Sequence, residues 1–233
     1  MNRTIFLKRL FLWGVLIPSL CACGGMDETY KEFIENGEIV YPGRAYSVKL
    51  RPGYLRVEAK WELISDPTIT RCQLVVDGRE QIDIPFDRTA GSGVVTRIVE
   101  NLSEGSHVFD IYTFDAEGNR SIGVEAVGFA YGPNYTESLY NRSIQRIAFD
   151  SQASEVTLRW KMSPESSVGT EISYTDAEGV SRQKMLLPEE STITLEKVEP
   201  GTEIRYQTVF MPDEEAIDSF RAAVSTVTVP ADE

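Results

Sequence analysis

A chain of 233 residues with 36 acidic and 23 basic side chains carries a formal charge of −13. That balance keeps a surface solvated and repels phosphate backbones and anionic headgroups, which argues against nucleic acid as a partner and against electrostatic docking on lipid. The length suits one large domain or two of about 100 residues, and a single histidine excludes His-based metal clusters of the His-Glu-x-x-His kind.

The first residues set the compartment. Arg3, Lys8 and Arg9 make a cationic start, and residues 10–17 (Leu-Phe-Leu-Trp-Gly-Val-Leu-Ile) form an apolar run. The run is shorter than the roughly 20 residues of a permanent membrane span. Leu20-Cys21-Ala22-Cys23 follows and resembles the bacterial lipobox, with a branched apolar residue three before the cysteine and a small one just before it. Cys21 is the rival acceptor, but it would place Leu20 where a small side chain is required. The resemblance implies a signal peptide over residues 1–22, cleavage before Cys23, diacylglycerol on its thiol and an acyl chain on its amine. Several buried chains give stable membrane anchoring where one alone is marginal. Gly24 stands where the inner-membrane retention signal has Asp, and Asp27-Glu28 resembles the surface-export signal of Bacteroidota lipoproteins. The implied location is the outer membrane, facing the exterior. Residues 23–40 read as a spacer in which Tyr30, Phe33 and Ile34 fall at helical spacing before the stop Asn36-Gly37.

From Tyr41 the period changes to two. Leu55, Val57, Ala59, Trp61 and Leu63 alternate with Arg56, Glu58, Lys60 and Glu62, which predicts a strand with one face in a core. Turn chemistry recurs at Ser65-Asp66-Pro67, Asp77-Gly78, Ala90-Gly91-Ser92-Gly93, Glu104-Gly105 and residues 115–119, with short apolar-aromatic runs between. Asp77-Gly78 predicts a tight hairpin joining 72–76 to 81–86. In that first run Cys72, Leu74 and Val76 share a face. Cys72 is the thiol left after maturation, so no disulfide framework exists, and it reads as a small buried apolar residue. A catalytic thiol needs a base, and His107 falls in a different predicted strand, at a strand edge just after the Glu104-Gly105 turn.

A first β domain over 41–132 gives way to a linker at 133–141. Thr136 is a candidate cap for one helical turn there, with Tyr135 and Leu139 on one side. The pattern then repeats over 142–230. Val156, Leu158, Trp160 and Met162 alternate with polar residues, and Trp160 lies 99 residues after Trp61. Leu102-Ser103-Glu104-Gly105 matches Val198-Glu199-Pro200-Gly201 at a spacing of 96. Two signals at nearly one spacing indicate a duplicated all-β unit.

A unit of about 100 residues with seven short strands and an early core Trp fits an immunoglobulin-like β-sandwich. It resembles the fibronectin type III family in its second-strand tryptophans and in the turn Val198-Glu199-Pro200-Gly201-Thr202. Ile204 stands where that family has its corner tyrosine, and the first copy has Val108 there, or His107 if the register slips by one. Tyr30 to Tyr41 with Pro42-Gly43-Arg44-Ala45, then Ser65-Asp66-Pro67, residues 115–119 and Tyr131-Gly132 through Asn141-Arg142-Ser143-Ile144, resemble a Bacteroidota lipoprotein family of unknown function. Its members accompany outer-membrane glycan-uptake systems, which implies an association with glycan acquisition and no assigned functional residues.

Few residues carry chemistry. No Gly-x-Ser-x-Gly elbow, phosphate loop or dinucleotide fingerprint is present. Asp115, Glu117 and Asn119 alternate as calcium ligands do, but the loop glycine is misplaced and the distal Glu is missing, so a β-turn is expected. Pairs of carboxylates abound, yet two small sandwiches leave little material for a deep catalytic cleft. No catalytic residue, metal or cofactor is expected. Sequons such as those at Asn101, Asn134 and Asn141 read as coincidental. Trp61 and Trp160 face inward, which leaves Tyr54, Tyr131, Tyr135 and Tyr140 as candidate ligand-binding rings; packing between the two domains is the competing reading of the junction tyrosines. The expected function is a non-catalytic cell-surface lipoprotein that binds or presents a ligand, accessory to glycan acquisition, or else a spacer or assembly subunit with an outer-membrane protein partner.

Overall fold

The computed structural model describes residues 41–63, 66–87, 89 and 93–231. The expected signal peptide, Cys23, the helical turn expected in the spacer and most of the turn at residues 90–93 lie outside the described residues.

Most of the alternating residues fall in strands as expected, although Met162 lies two residues past the end of its strand and is 91% exposed. β1 (Ala45–Gly53), β2 (Arg56–Leu63) and β5 (Val94–Val99) form one antiparallel sheet in the order β1-β2-β5. β3 (Arg71–Val76), β4 (Glu80–Pro85), β6 (Gly105–Phe114) and β7 (Val124–Ala130) form the facing sheet, in the order β4-β3-β6-β7. Asp77 and Gly78, at φ 51° and 65°, close the tight β3–β4 hairpin. After the helix α1 (Pro133–Ser138) the plan repeats. β8 (Ile144–Asp150), β9 (Glu155–Trp160) and β12 (Thr192–Glu196) pair in the order β12-β9-β8. β10 (Ser167–Thr175), β11 (Ser181–Leu186) and β13 (Glu203–Phe210) face them, and β13 carries two short strands, β14 (Phe220–Arg221) and β15 (Ser225–Thr228). This is a pair of fibronectin type III-like β-sandwiches, and both lie in one compact unit, Pro42–Glu233.

Each sandwich has its own core. Trp61 packs with Val57, Leu74, Phe109 and Ile111, and Trp160 with Val156, Leu158, Ile172 and Ile204. Cys72 is fully buried in the first core, and burial pushes its thiol up, away from the reactive thiolate. Duplication extends to single hydrogen bonds. Leu102 N donates to Leu55 O and Val198 N to Ser154 O, each at 2.9 Å. The acceptors Leu55 and Ser154 are both left-handed (φ 53° and 54°), as are Asn101 and Lys197 just before the donors (φ 60° and 55°).

Three local expectations need correction. Leu55 is not the first residue of a strand: with Tyr54 it forms the tight β1–β2 turn, and Gly53 pairs with Arg56 across it. Thr136 does not cap α1. Gly132 holds the N-cap position, Thr136 Oγ1 donates back to Gly132 O at 3.0 Å, and the cap comes from Glu104, whose carboxylate accepts Asn134 N and Tyr135 N at 2.7 Å each. A side chain at Gly132 would run into Glu104 Cβ at 2.8 Å and Leu55 Cδ2 at 2.9 Å, so glycine is what allows that approach. His107 does not sit at a sheet margin. It lies inside β6, a central strand, and is 5% exposed. The calcium-like residues form a turn: Asp115 Oδ1 accepts Asn119 N and Oδ2 accepts Asn119 Nδ2, each at 2.8 Å.

The corner residue of the first sandwich is therefore His107, not Val108, and the register does slip by one. Its Nε2 donates to Ser103 O at 2.8 Å, four residues upstream, as a corner tyrosine hydroxyl would. Its Nδ1 meets Asp77 Oδ2 at 2.7 Å. Both partners are acceptors, so satisfying both requires two ring protons. Burial opposes the charge, but the bonds to Asp77 and Ser103 outweigh it and raise His107 above its ordinary value, while the same bond, with Val108 N, holds Asp77 below its own. Arg79 adds to the pull on Asp77. His107 thus contributes fully below the ordinary imidazole value of about 6.5 and loses that contribution as pH climbs through its raised folded value. Asp77 contributes above about pH 4 and loses its share as pH falls through its lowered folded value. The urea midpoint of the first sandwich is expected to fall with alkalinity above about pH 6.5, and His107→Gln should flatten that limb. An unchanged slope in the variant would refute the assignment.

Candidate functional site

The tip of the β1–β2 hairpin meets the segment between β13 and β14, residues 211–219. Ile217 N donates to Pro52 O at 2.8 Å. Asp218 gathers the tip: its Oδ2 accepts Tyr54 N at 2.8 Å and Arg56 Nε at 2.9 Å, and its Oδ1 accepts Arg56 Nη2 at 2.6 Å. Arg51 Nε adds a bond to Glu215 O at 3.0 Å. The fork of Arg56 holds Asp218 below the usual carboxylate range, against the opposing effect of burial, and Asp218 in turn raises Arg56. Gly53 permits the contact, because a Cβ there would lie 2.5 Å from Asp218 Oδ2 and 2.7 Å from Ile217 Cγ1.

Beside these polar ties lies an aromatic cluster. Tyr131 has its ring centre 4.9 Å from Phe129, 4.6 Å from Tyr135 and 5.5 Å from Phe220, and Tyr135 meets Phe220 edge-on at 5.1 Å. Burial raises the hydroxyls of Tyr131 and Tyr135. Tyr54 touches the margin of the cluster, 6.2 Å from Phe220, and stays 46% exposed. Of the four tyrosines singled out in the sequence, the fold brings three together around Phe220. Tyr140 stands apart, 68% exposed.

Tyr54, Leu55, Arg56, Glu100, Asn101 and Asp218 line a cleft of about 440 Å³ between the sandwiches. Arg56 Nη1 reaches Glu100 Oε1 at 3.7 Å, so the guanidinium lies between two carboxylates. Among the described residues the Asn101 amide and the Tyr54 hydroxyl have no hydrogen-bond partner. Two other depressions, about 520 and 410 Å³, lie on the outer face of β10, β11 and β13. Their floor is the sheet itself, and its main carboxylate, Glu171, is satisfied by Arg221 and Gln207. We favour the interdomain cleft, since it joins a part-exposed ring to unengaged polar groups at a domain boundary, where ligand sites concentrate. Asp218 is held ionised and fully bonded, which suits a locked frame rather than a proton donor. No group of three or more His, Cys, Asp or Glu among the described residues is placed to hold a metal ion.

Sequence reasoning identified Tyr54 but missed Arg56, Asp218, Phe220 and Asn101. Arg56 looked like an ordinary solvent-facing strand residue, and Asp218-Ser219-Phe220 carries no turn or strand signal that points 160 residues back along the chain. The only usable hint was the unusual length between β13 and the end of the pattern.

A model of a domain family of unknown function, DUF4998, matches residues 23–220. No curated protein is similar in sequence. Among solved structures, the FN1–FN3 domains of chicken CNTN1 are 13% identical, with a TM-score of 0.43 over 82% of this chain and 69% of that one. A two fibronectin type-III domain segment from chicken tenascin is 11% identical, with a TM-score of 0.32 over 81% of this chain and 99% of that one.

Proposed function

The chain belongs to the DUF4998 family, and we propose that it is a lipoprotein of the bacterial outer membrane, anchored through acylated Cys23 and facing the exterior. In this reading it binds or presents a ligand without turning it over, as an accessory to glycan acquisition. The anchor is supported by the lipobox-like Leu20-Cys21-Ala22-Cys23 and the acidic pair Asp27-Glu28. Ligand binding is supported by one observation above the others: Tyr54 stays 46% exposed on a cleft while Tyr131 and Tyr135 are half-buried in the aromatic cluster.

Cys23→Ala is expected to abolish incorporation of radiolabelled palmitate and to shift nearly all of the protein out of the membrane fraction. A variant that still matured and still sedimented with membranes would remove the anchor. Retention of the purified protein by a polysaccharide in affinity gels is the matching test of binding.

The ties through Asp218 and Ile217 favour a second reading, a spacer or assembly subunit that holds a partner at a fixed distance from the membrane. A stoichiometric protein partner recovered from detergent-solubilised membranes, with no polysaccharide retention, selects it.

A further inference from the structure

We propose that the interdomain cleft takes an uncharged sugar residue, with its carbon face against the Tyr54 ring and its hydroxyls held by Asn101 and Glu100. The proposal rests on the ligand-binding reading above and commits it to a place and a chemistry.

Charge decides the first half. Arg56 is bracketed by Asp218 and Glu100, so the lining carries one cation and two carboxylates, in a chain of formal charge −13. An anionic ligand meets carboxylates and finds no unpaired cation. A cationic ligand finds Asp218 already bonded to Arg56 at 2.6 and 2.9 Å and is left with Glu100, whose side chain is 63% exposed, where solvent screening makes an ion pair weak. Neither is favoured, and an uncharged molecule is.

The unengaged groups decide the second half. The Asn101 amide offers a donor and an acceptor, and the Tyr54 hydroxyl offers one of each. Glu100 has a single contact, at 3.7 Å, which leaves its lone pairs open. All three suit hydroxyls, which both donate and accept. The remaining walls are apolar, the Tyr54 ring and Leu55. A ligand with hydroxyls around its rim and C–H groups on its faces satisfies both sets together, and a saccharide ring is such a molecule. A cleft of about 440 Å³ is small-ligand sized, and its position at the surface between two sandwiches leaves a longer chain room to leave on either side. Asn101 is already left-handed (φ 60°), a conformation that glycine adopts freely, so the amide can be removed without strain.

The experiment is affinity gel electrophoresis of the detergent-solubilised full chain. The probes are neutral polysaccharides (a mannan, an α-glucan, a β-glucan) and acidic ones (polygalacturonate, heparin). Retention is expected in at least one neutral polysaccharide and should be insensitive to salt. Tyr54→Ala and Asn101→Gly should each weaken it about tenfold, Tyr54→Phe should keep most of it, and Tyr140→Ala should leave it unchanged. Unaltered tryptophan emission in each variant shows that the cores are intact. If both cleft variants are retained like the parent, the cleft is not the site, although the binding reading stands. If only acidic polysaccharides retain the protein, and salt abolishes the effect, the ligand class is wrong. If none of the probes retains it, the proposal falls together with the reading on which it rests.

Discussion

Arg142→Ala is expected to destabilise the second sandwich by about 3–5 kcal/mol. Arg142 is 2% exposed and has no carboxylate partner among the described residues. Its fork instead serves three backbone carbonyls: Nε donates to Lys161 O at 2.7 Å, Nη2 to Glu190 O at 2.7 Å and Nη1 to Leu187 O at 3.3 Å. Its own backbone N donates to Thr208 Oγ1 at 2.8 Å. Burial lowers its proton affinity, but a guanidinium stays charged at any physiological pH. Truncation would leave three acceptors short of a donor and open a void where the side chain lay. Arg142→Lys keeps the charge but not the planar fork, so it should recover only part of the loss. Urea unfolding followed by Trp160 emission, in a Trp61→Phe background, measures the effect. A loss below about 1 kcal/mol, the size of one ordinary hydrogen bond, would refute the role given to this residue.

Asp218→Ala should uncouple the sandwiches at a cost of about 2–3 kcal/mol. The carboxylate accepts three bonds from the hairpin tip, and its loss leaves the Arg56 fork and Tyr54 N without that partner. Gly53→Ala tests the same contact by another route, forcing a methyl group against Asp218 and Ile217 while leaving every ion pair chemically possible. Unfolding is read from Trp61 in one single-tryptophan background and from Trp160 in another. With the contact intact the two curves should coincide, and in either variant they should separate. Curves that remain superimposed in both variants would show that Asp218 does not couple the halves. Acid should mimic the mutation. The folded pKa of Asp218 is depressed, so its contribution is complete above the ordinary carboxylate value of about 3.9 and fades as pH falls through the lowered folded value.

Alternation was enough to read the strands and the duplication. Residues that alternate in β2 and β9 face cores centred on Trp61 and Trp160, and the spacing of 99 and 96 residues reappears as matching backbone hydrogen bonds. Turns were legible only where a residue announced them. Asp77-Gly78 did; Tyr54-Leu55 did not, because a leucine in the left-handed region has no sequence signature. The choice between His107 and Val108 could not be settled by counting, since the turn before β6 is one residue shorter than its counterpart before β13. It took the alternation of buried positions to decide. The cap of α1 was misassigned to Thr136 because capping by Glu104, some 30 residues earlier, is a tertiary contact. The same reason hid most of the cleft: Arg56 and Asp218 are separated by 162 residues, and no local preference links them.

The contact between the sandwiches also has a mechanical consequence. The ties of Pro52, Tyr54 and Arg56 are made to adjacent residues, Ile217 and Asp218, on one short segment. A force drawing the two halves apart would stretch these bonds side by side rather than one after another. They would resist together and give way together, so a tug at one end of the pair should reach the other with little slack until the whole joint lets go.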